Sequence, residues 1–213
     1  MTRAIALALT FLTGLSGLVY QVTWERYLAV LLGSHGEATA SVLGLFLGGL
    51  ALGYALFGAL SRRRLRDAAA GGAAPRLLEL YGGVEIGIGA WALAFPLLFQ
   101  AARAVSLWLP DLGDAGGFTL DVGLCALLLL PPTVLMGGTI PLLTQGLSRS
   151  PDDATRVHAS VYGLNTAGAF LGALLAGFWW IAELGLPGTL YAMSGLNLAA
   201  GAIFVWLGAR AAS

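Results

Sequence analysis

Charge is scarce in this chain of 213 residues: only 10% are Asp, Glu, Lys or Arg, against about 25% in a soluble domain. Most of a polar surface is therefore missing, which excludes an ordinary water-soluble globular enzyme. Lysine is absent, so all 11 bases are arginines, and 11 acids balance them to a net charge of zero. A neutral chain gives no electrostatic reason to expect a nucleic-acid partner. The lone cysteine, Cys125, sits in an apolar run, cannot form an intrachain disulfide and says nothing about redox compartment. Also missing are a Gly-rich dinucleotide or phosphate loop, a His/Cys metal-ligand spacing and a nucleophile elbow. No catalytic residue, metal or cofactor is expected, and the segments between apolar runs are too short for a soluble catalytic domain.

What fills the chain instead is apolar: 58% of residues are hydrophobic and the mean hydropathy is +0.82. This composition marks an all-α integral membrane protein. A helix needs about 20 apolar residues to cross about 30 Å of hydrocarbon, and six runs qualify. They are Ala4 to about Trp24 (or on to Leu32), Ala38–Leu60, Leu77 to about Phe99, Phe118 to about Leu147, Val157–Ile181 and Pro187 to about Leu207. The first run is too long for a cleaved signal peptide and ends in Tyr20, Trp24 and Tyr27, an aromatic belt rather than a small-residue cleavage site.

The arginines orient these spans. With the N-terminus inside, Arg3, Arg62, Arg63, Arg64, Arg66, Arg76, Arg149, Arg156 and Arg210 fall on the cytoplasmic side, and only Arg26 and Arg103 on the other. A bias of this size over short loops is a positive-inside signal. It predicts a bacterial-type cytoplasmic (inner) membrane protein with both termini cytoplasmic.

The second and fifth spans resemble each other. Ala40–Gly58 lies over Ala159–Gly177 without a gap, sharing an Ala-Ser-Val-x-Gly-Leu opening and glycines at 44/163, 49/168, 53/172 and 58/177. Similar glycine-rich composition accounts for some matches but not for the shared opening in register with four glycines. The two spans run in opposite directions, so the expectation is one transmembrane domain over 1–213. It would be built from two inverted three-helix repeats, about 1–110 and 111–213. Inverted repeats are a feature of transporter folds, whose substrate sites lie near the bilayer midplane.

Polar residues at membrane depth are costly and usually face a cavity or a partner. Glu85 lies deepest of the carboxylates, and Asn165 and Asn197 are mid-span. Tyr20, Gln21, Tyr162 and Thr139 are candidate hydrogen-bonding neighbours. Either Glu85 ties helices together, as interhelical polar bonds commonly do, or it is an anionic site for a cation or a proton-coupling carboxylate. Glu79 is placed to pair with Arg76, Glu37 and Asp121 sit at outer mouths, and His158 is interfacial. The fourth span holds Pro131, Pro132, Gly137, Gly138 and Pro141. Because proline removes donors and kinks helices, carbonyls near Leu127–Leu130 lose partners. A discontinuous, gating fourth helix is the expectation.

Several of these runs are familiar. Leu18-Val-Tyr-Gln-Val-Thr-Trp-Glu-Arg, Leu32-Gly-Ser34, Gly48-Gly-Leu-Ala-Leu-Gly53 and Leu80-Tyr-Gly-Gly-Val-Glu85-Ile-Gly-Ile-Gly89 come first. Leu130-Pro-Pro-Thr-Val-Leu-Met-Gly-Gly-Thr-Ile-Pro141, Val161-Tyr-Gly-Leu-Asn165-Thr-Ala-Gly168 and Gly185-Leu-Pro-Gly-Thr189 follow in order. Together they resemble the membrane domain of the spermidine-synthase-like membrane proteins, fusions of a major-facilitator-like region with a spermidine synthase domain. The resemblance implies a half-major-facilitator-like fold. Many relatives carry an aminopropyltransferase domain after the last span. Here the sequence stops at Ser213, so aminopropyl transfer is not carried over. The Gly58-Ala-Leu-Ser-Arg-Arg-Arg loop resembles the facilitator loop signature without its aspartate, which sets ordinary facilitator gating aside.

The function expected from the residues and the resemblance together is binding or transport of a small, polyamine-like cation by a half-transporter, completed as a homodimer in the lipid bilayer. Glu85 would attract the ammonium groups, with cation–π contact from Tyr20, Tyr81 or Trp91. The alternative is a non-transporting membrane anchor for a separate cytoplasmic spermidine-synthase-like partner.

Overall fold

A computed structural model describes residues 2–33, 36–72, 74–108 and 113–212. Every regular element among the described residues is helical: α1 (Thr2–Leu32), α2 (Gly36–Ala69), α3 (Leu77–Trp108), α4 (Gly113–Leu147), α5 (Pro151–Leu175), a π-helical turn (Ala176–Trp180) and α6 (Ile181–Ala212). Ser34 and the side chain of Glu37 lie outside the described residues. Five helical stretches are long and apolar enough to cross a membrane: Arg3–Leu32, Ala38–Ala69, Leu77–Trp108, Gly113–Leu147 and Asp152–Arg210. The outer surface suits that role, with Leu97, Leu127, Phe170 and Phe178 all more than two-thirds exposed. Such large apolar side chains are out of place against water in this number.

The last stretch, 59 residues long, is not one straight rod. Gly185 sits at φ 67°, ψ 175°, a backbone that only glycine adopts without strain, and Pro187 follows at the start of the next helical turn. Thr189 Oγ1 donates to the carbonyls of Gly185 (2.8 Å) and Trp180 (3.2 Å), holding the corner together. Helix directions show what the corner does. α1 runs parallel to α5, since Phe11 and Leu15 meet Gly168 and Gly172. It also runs parallel to α3, since Thr13 and Trp24 meet Tyr81 and Phe95. α6 opposes α3, as Gly201 meets Gly82 and Gly208 meets Glu79. The chain therefore reverses at Gly185.

Packing is strongest in three pairs, α1 with α5, α2 with α4 and α3 with α6. Glycine permits all three. A Cβ at Gly172 would collide with the Leu15 carbonyl, and one at Gly53 with the Val134 carbonyl. Without a hydrophobic drive between helices in lipid, such close backbone approach supplies the van der Waals attraction. The same glycine spacing on the outward faces has no such duty, for Gly44 and Gly163 have no neighbour within 4 Å.

Two sequence expectations change here. α2 does not stop at Leu60 but continues to Ala69, carrying Arg62, Arg63, Arg64 and Arg66 outward on an exposed helical extension. More consequentially, α4 is helical from Gly113 to Leu147 despite Pro131, Pro132 and Pro141, so the broken fourth helix is not found. The reason lies in a side-chain donor. Trp91 Nε1 donates to the Leu128 carbonyl (3.1 Å), whose backbone donor Pro132 removes. Thr133 Oγ1 adds only an ordinary back-bond to the carbonyls of Leu129 (2.7 Å) and Leu130 (3.2 Å), which the prolines do not free. Gly137 and Gly138 are packing positions against Leu50 and Phe57 rather than kinks. The irregular backbone is instead at the π-helical turn and at Gly185.

Gly53→Ala and Gly172→Ala will each lower stability by about 1–3 kcal/mol through overpacking. Gly44→Ala and Gly163→Ala will stay within about 0.5 kcal/mol of the parent or gain slightly from helix propensity. Thermal unfolding of the four variants in one detergent separates the two classes. In the same assay Trp91→Phe will lose about 1–3 kcal/mol, because it strands a buried carbonyl.

Candidate functional site

Glu85 is the one carboxylate in the middle of the bundle, 1% exposed. Its place follows from the Gly82, Gly83, Gly87 and Gly89 run around it. Gly82 and Gly89 bring α3 onto α6 near Gly201 and Ser194, close enough for Asn197 Nδ2 to donate to Glu85 Oε2 at 2.6 Å. Tyr20 of α1 in turn donates its hydroxyl to Asn197 Oδ1 at 3.2 Å. Ser194 Oγ closes the same seam by donating to the Gly89 carbonyl at 2.7 Å. Beside this chain, Thr13 and Tyr81 share a hydroxyl–hydroxyl bond of 3.1 Å.

One oxygen is left over. Glu85 Oε1 is buried without a hydrogen-bond partner among the described residues. The two ion pairs among them, Arg3–Asp153 and Arg76–Glu79, hold neither Glu85 nor its neighbours. A buried carboxylate without a partner cation is expensive. Glu85 lines a cavity of about 230 Å³ whose walls come from α1 to α6 but not from the π-helical turn. Thr13, Ser16, Tyr54, Thr139, Tyr162, Asn165 and Asn197 supply its polar lining, and Phe46, Leu50, Ile88 and Met136 its apolar lining. At about 30 Å³ per water molecule, the volume suits a solute of a few carbons and not a large cofactor.

Past Leu18, α1 and α3 pack aromatic rings that do not line the cavity. Tyr20 stacks on Trp24 (5.1 Å between ring centres) and Trp24 on Phe95 (5.2 Å), and Tyr27 sits between Phe95 and Phe99. These rings are buried and lie at the end of the bundle away from the Arg3–Asp153 pair.

Of the residues singled out in the sequence, Glu85, Asn165, Asn197 and Tyr162 line one cavity, and so do Gly137 and Thr139. Tyr20 stands behind it and touches it only through Asn197. Gln21 is half-buried on α1 and does not line it. The cation–π expectation is not met by Tyr20, Tyr81 or Trp91, none of which lines the cavity. The first is stacked on Trp24, the second lies edge-on to Phe204 (4.3 Å), and the third is committed to the Leu128 carbonyl. Sequence reading missed Thr13, Ser16 and Tyr54. The signal for the first two is the small-polar run Thr13-Gly-Leu-Ser-Gly17, which puts two hydroxyls inside an apolar helix.

No family model, curated protein or solved structure matches this chain.

Asn197→Leu will lose about 2–4 kcal/mol of stability, since it strands both the Tyr20 hydroxyl and Glu85 Oε2. Tyr20→Phe, which frees only the Asn197 oxygen, will lose about 1 kcal/mol. A double-mutant cycle on thermal unfolding reads the coupling, and strict additivity would show that the bond contributes nothing.

Proposed function

We propose that the chain is a multi-pass protein of a bacterial-type cytoplasmic membrane that binds a small organic cation in the central cavity, as one half of a transporter. The observation that carries this is Glu85 itself, buried among α1 to α6, lining the cavity they build and without a cation partner among the described residues. A carboxylate given only neutral donors, the Asn197 amide and the neighbouring Tyr81 and Thr13 hydroxyls, and left without a countercharge favours a ligand that brings a positive charge. The hydroxyls of Thr13, Ser16 and Tyr54 give such donors and acceptors further partners, and the apolar wall accommodates the methylene stem of an alkylamine. The sequence resemblance to spermidine-synthase-like membrane proteins points to the same class, polyamine-like amines.

The architecture we infer is six spans in two inverted three-helix repeats, half-major-facilitator-like. The reversal at Gly185 supports counting its two sides as separate spans. Two contacts support the duplication. Gly53 packs on the Val134 carbonyl and Gly172 on the Leu15 carbonyl, and the step from 53 to 172 is the step from 15 to 134. A pseudo-two-fold axis exchanging α1 with α4 and α2 with α5 turns one contact into the other. Arg3 pairs with Asp153 beside Arg149 and Arg156, and Gly208 packs on Glu79 beside Arg76. This gathering of arginines at one end supports the inward placement of that end. A homodimer in the bilayer is supported by the unoccupied small faces at Gly44, Gly48 and Gly163, next to the half-exposed Tyr54 and Tyr162 of the cavity.

The anchor reading has one observation of its own. The arginine-bearing extension of α2 projects past the apolar span, and it offers a separately encoded synthase-like protein a charged handle. In that case the purified chain retains a soluble partner and moves no substrate.

Glu85→Gln keeps an acceptor for Asn197 while removing the charge. It will weaken binding of spermidine or putrescine by at least about tenfold, the loss of one charge-assisted hydrogen bond, with helix content unchanged. Titration calorimetry on purified protein and uptake into proteoliposomes measure the two steps. Equal binding by parent and Glu85→Gln sinks the cation assignment, and binding without uptake favours the anchor.

A further inference from the structure

A second cavity, of about 370 Å³, opens at the arginine-rich end of the bundle. Its walls are the C-terminal halves of α2 and α4 and the first turns of α5, a meeting point that the sequence alone does not disclose. Its polar side chains are Arg62, Gln145, Thr155, His158, Thr144 and Tyr54, and no carboxylate lines it. The two ion pairs among the described residues use Arg3 and Arg76, so Arg62 is not held by an acid. Of the two acids in the first turn of α5, Asp152 and Asp153, neither lines the groove, and Asp153 is engaged by Arg3 and by the Arg149 backbone N–H. Thr144 Oγ1 and His158 Nδ1 bond to each other at 3.3 Å, which fixes the imidazole and leaves its Nε2 edge free of that contact.

The chemistry of this lining is the reverse of the central cavity's. A guanidinium has five N–H donors in a fixed fork and no acceptor, a geometry matched to carboxylate and phosphate oxygens. Gln145, Thr155 and Tyr54 add neutral donors, and there is no acid to repel an anion. We propose that this groove is an oxyanion site, taking a phosphate-type group with Arg62 as its principal ligand. The group comes either from an acidic lipid headgroup at the membrane interface or from a soluble phosphate.

Its position gives the site a consequence. Tyr54 lines both cavities, and Tyr162 of the central cavity stacks on His158 of the groove (6.2 Å). An oxyanion in the groove therefore sits at the approach to the central cavity from the arginine-rich end. The site stands on its own residues and does not depend on what Glu85 binds.

The test compares Arg62→Gln with Arg63→Gln. Both remove one positive charge from the same helical extension, but Arg63 does not line the groove. Inorganic phosphate is titrated against detergent-purified protein by thermal shift and calorimetry. In a second arm, native mass spectrometry counts phosphatidylglycerol retained from nanodiscs, against phosphatidylcholine nanodiscs. Arg62→Gln is expected to weaken the anion at least about tenfold, the loss of one charge-assisted hydrogen bond, with Arg63→Gln within about twofold of the parent. Arg62→Lys, which keeps the charge without the fork, guards against a folding defect and is expected to fall between them. A response to phosphate assigns a soluble anion, and a response only to phosphatidylglycerol assigns the headgroup. Either result supports the site. Equal losses in Arg62→Gln and Arg63→Gln, or no anion effect in either arm, overturn it. Glu85→Gln run alongside keeps the two readings apart, because it is expected to leave anion binding unchanged.

Discussion

The hydrogen bond from Asn197 to Glu85 is the interaction on which the centre of this protein depends. It joins α6 to α3, and through Tyr20 it joins both to α1. An isolated carboxylate among apolar helices would destabilise the bundle by several kcal/mol, so its position has to be imposed by packing around it. Gly82 and Gly89 impose it. They bring the α3 backbone against Gly201 and Ser194, which is what places a short amide side chain within 2.6 Å of the acid. The arrangement gives one carboxylate oxygen a short amide bond and leaves the acid without a cation partner among the described residues.

The same requirement, that buried polar groups find partners inside the molecule, explains why α4 does not break. Consecutive prolines remove two donors from a helix, and the usual outcome is a kink. Here the indole of Trp91 takes over the Leu128 carbonyl that Pro132 frees. The rigidity of α4 then matters for the cavity, because Met136, Gly137, Thr139 and Ile140 form one wall of it. Within the spans of the described residues, irregular backbone lies at the Ala176–Trp180 turn and Gly185. π-Helical turns concentrate at functional positions, and this one lies directly before the reversal between α5 and α6.

How much of this was legible in the sequence depends on the range of the interaction. Helix existence and approximate limits follow from apolar runs, a local property. The choice of Glu85, Asn165 and Asn197 follows from the cost of polarity at depth, and one cavity indeed collects all three. What failed was anything that required knowing a partner. Prolines read locally announce a break, and only the three-dimensional neighbour Trp91 cancels it. Tyr20, Tyr81 and Trp91 read locally are amphipathic rings near an acid, yet the Tyr20 hydroxyl is taken by Asn197, the Tyr81 ring by Phe204 and the Trp91 indole N–H by the Leu128 carbonyl, each on another helix. Thr13 and Ser16 were passed over because a small hydroxyl in a helix normally bonds its own backbone. Both do so here, while still lining the cavity.

The two cavities taken together argue for a division of charge along the bundle. The central one has an acid and no base, and the one at the arginine-rich end has a base and no acid. Toward the far end α1 and α3 pack stacked aromatic rings against each other. Charges of opposite sign placed in separate cavities do not neutralise each other as a contact ion pair would, since Coulomb attraction falls with distance and is screened where water enters. Each therefore stays available to a ligand of its own. Had Arg62 stood beside Glu85, the pair would have been a buried salt bridge with no demand for anything else. Their separation leaves two unmet electrostatic demands in one small bundle, and that separation rests on Tyr54 and Tyr162, the neutral rings between them.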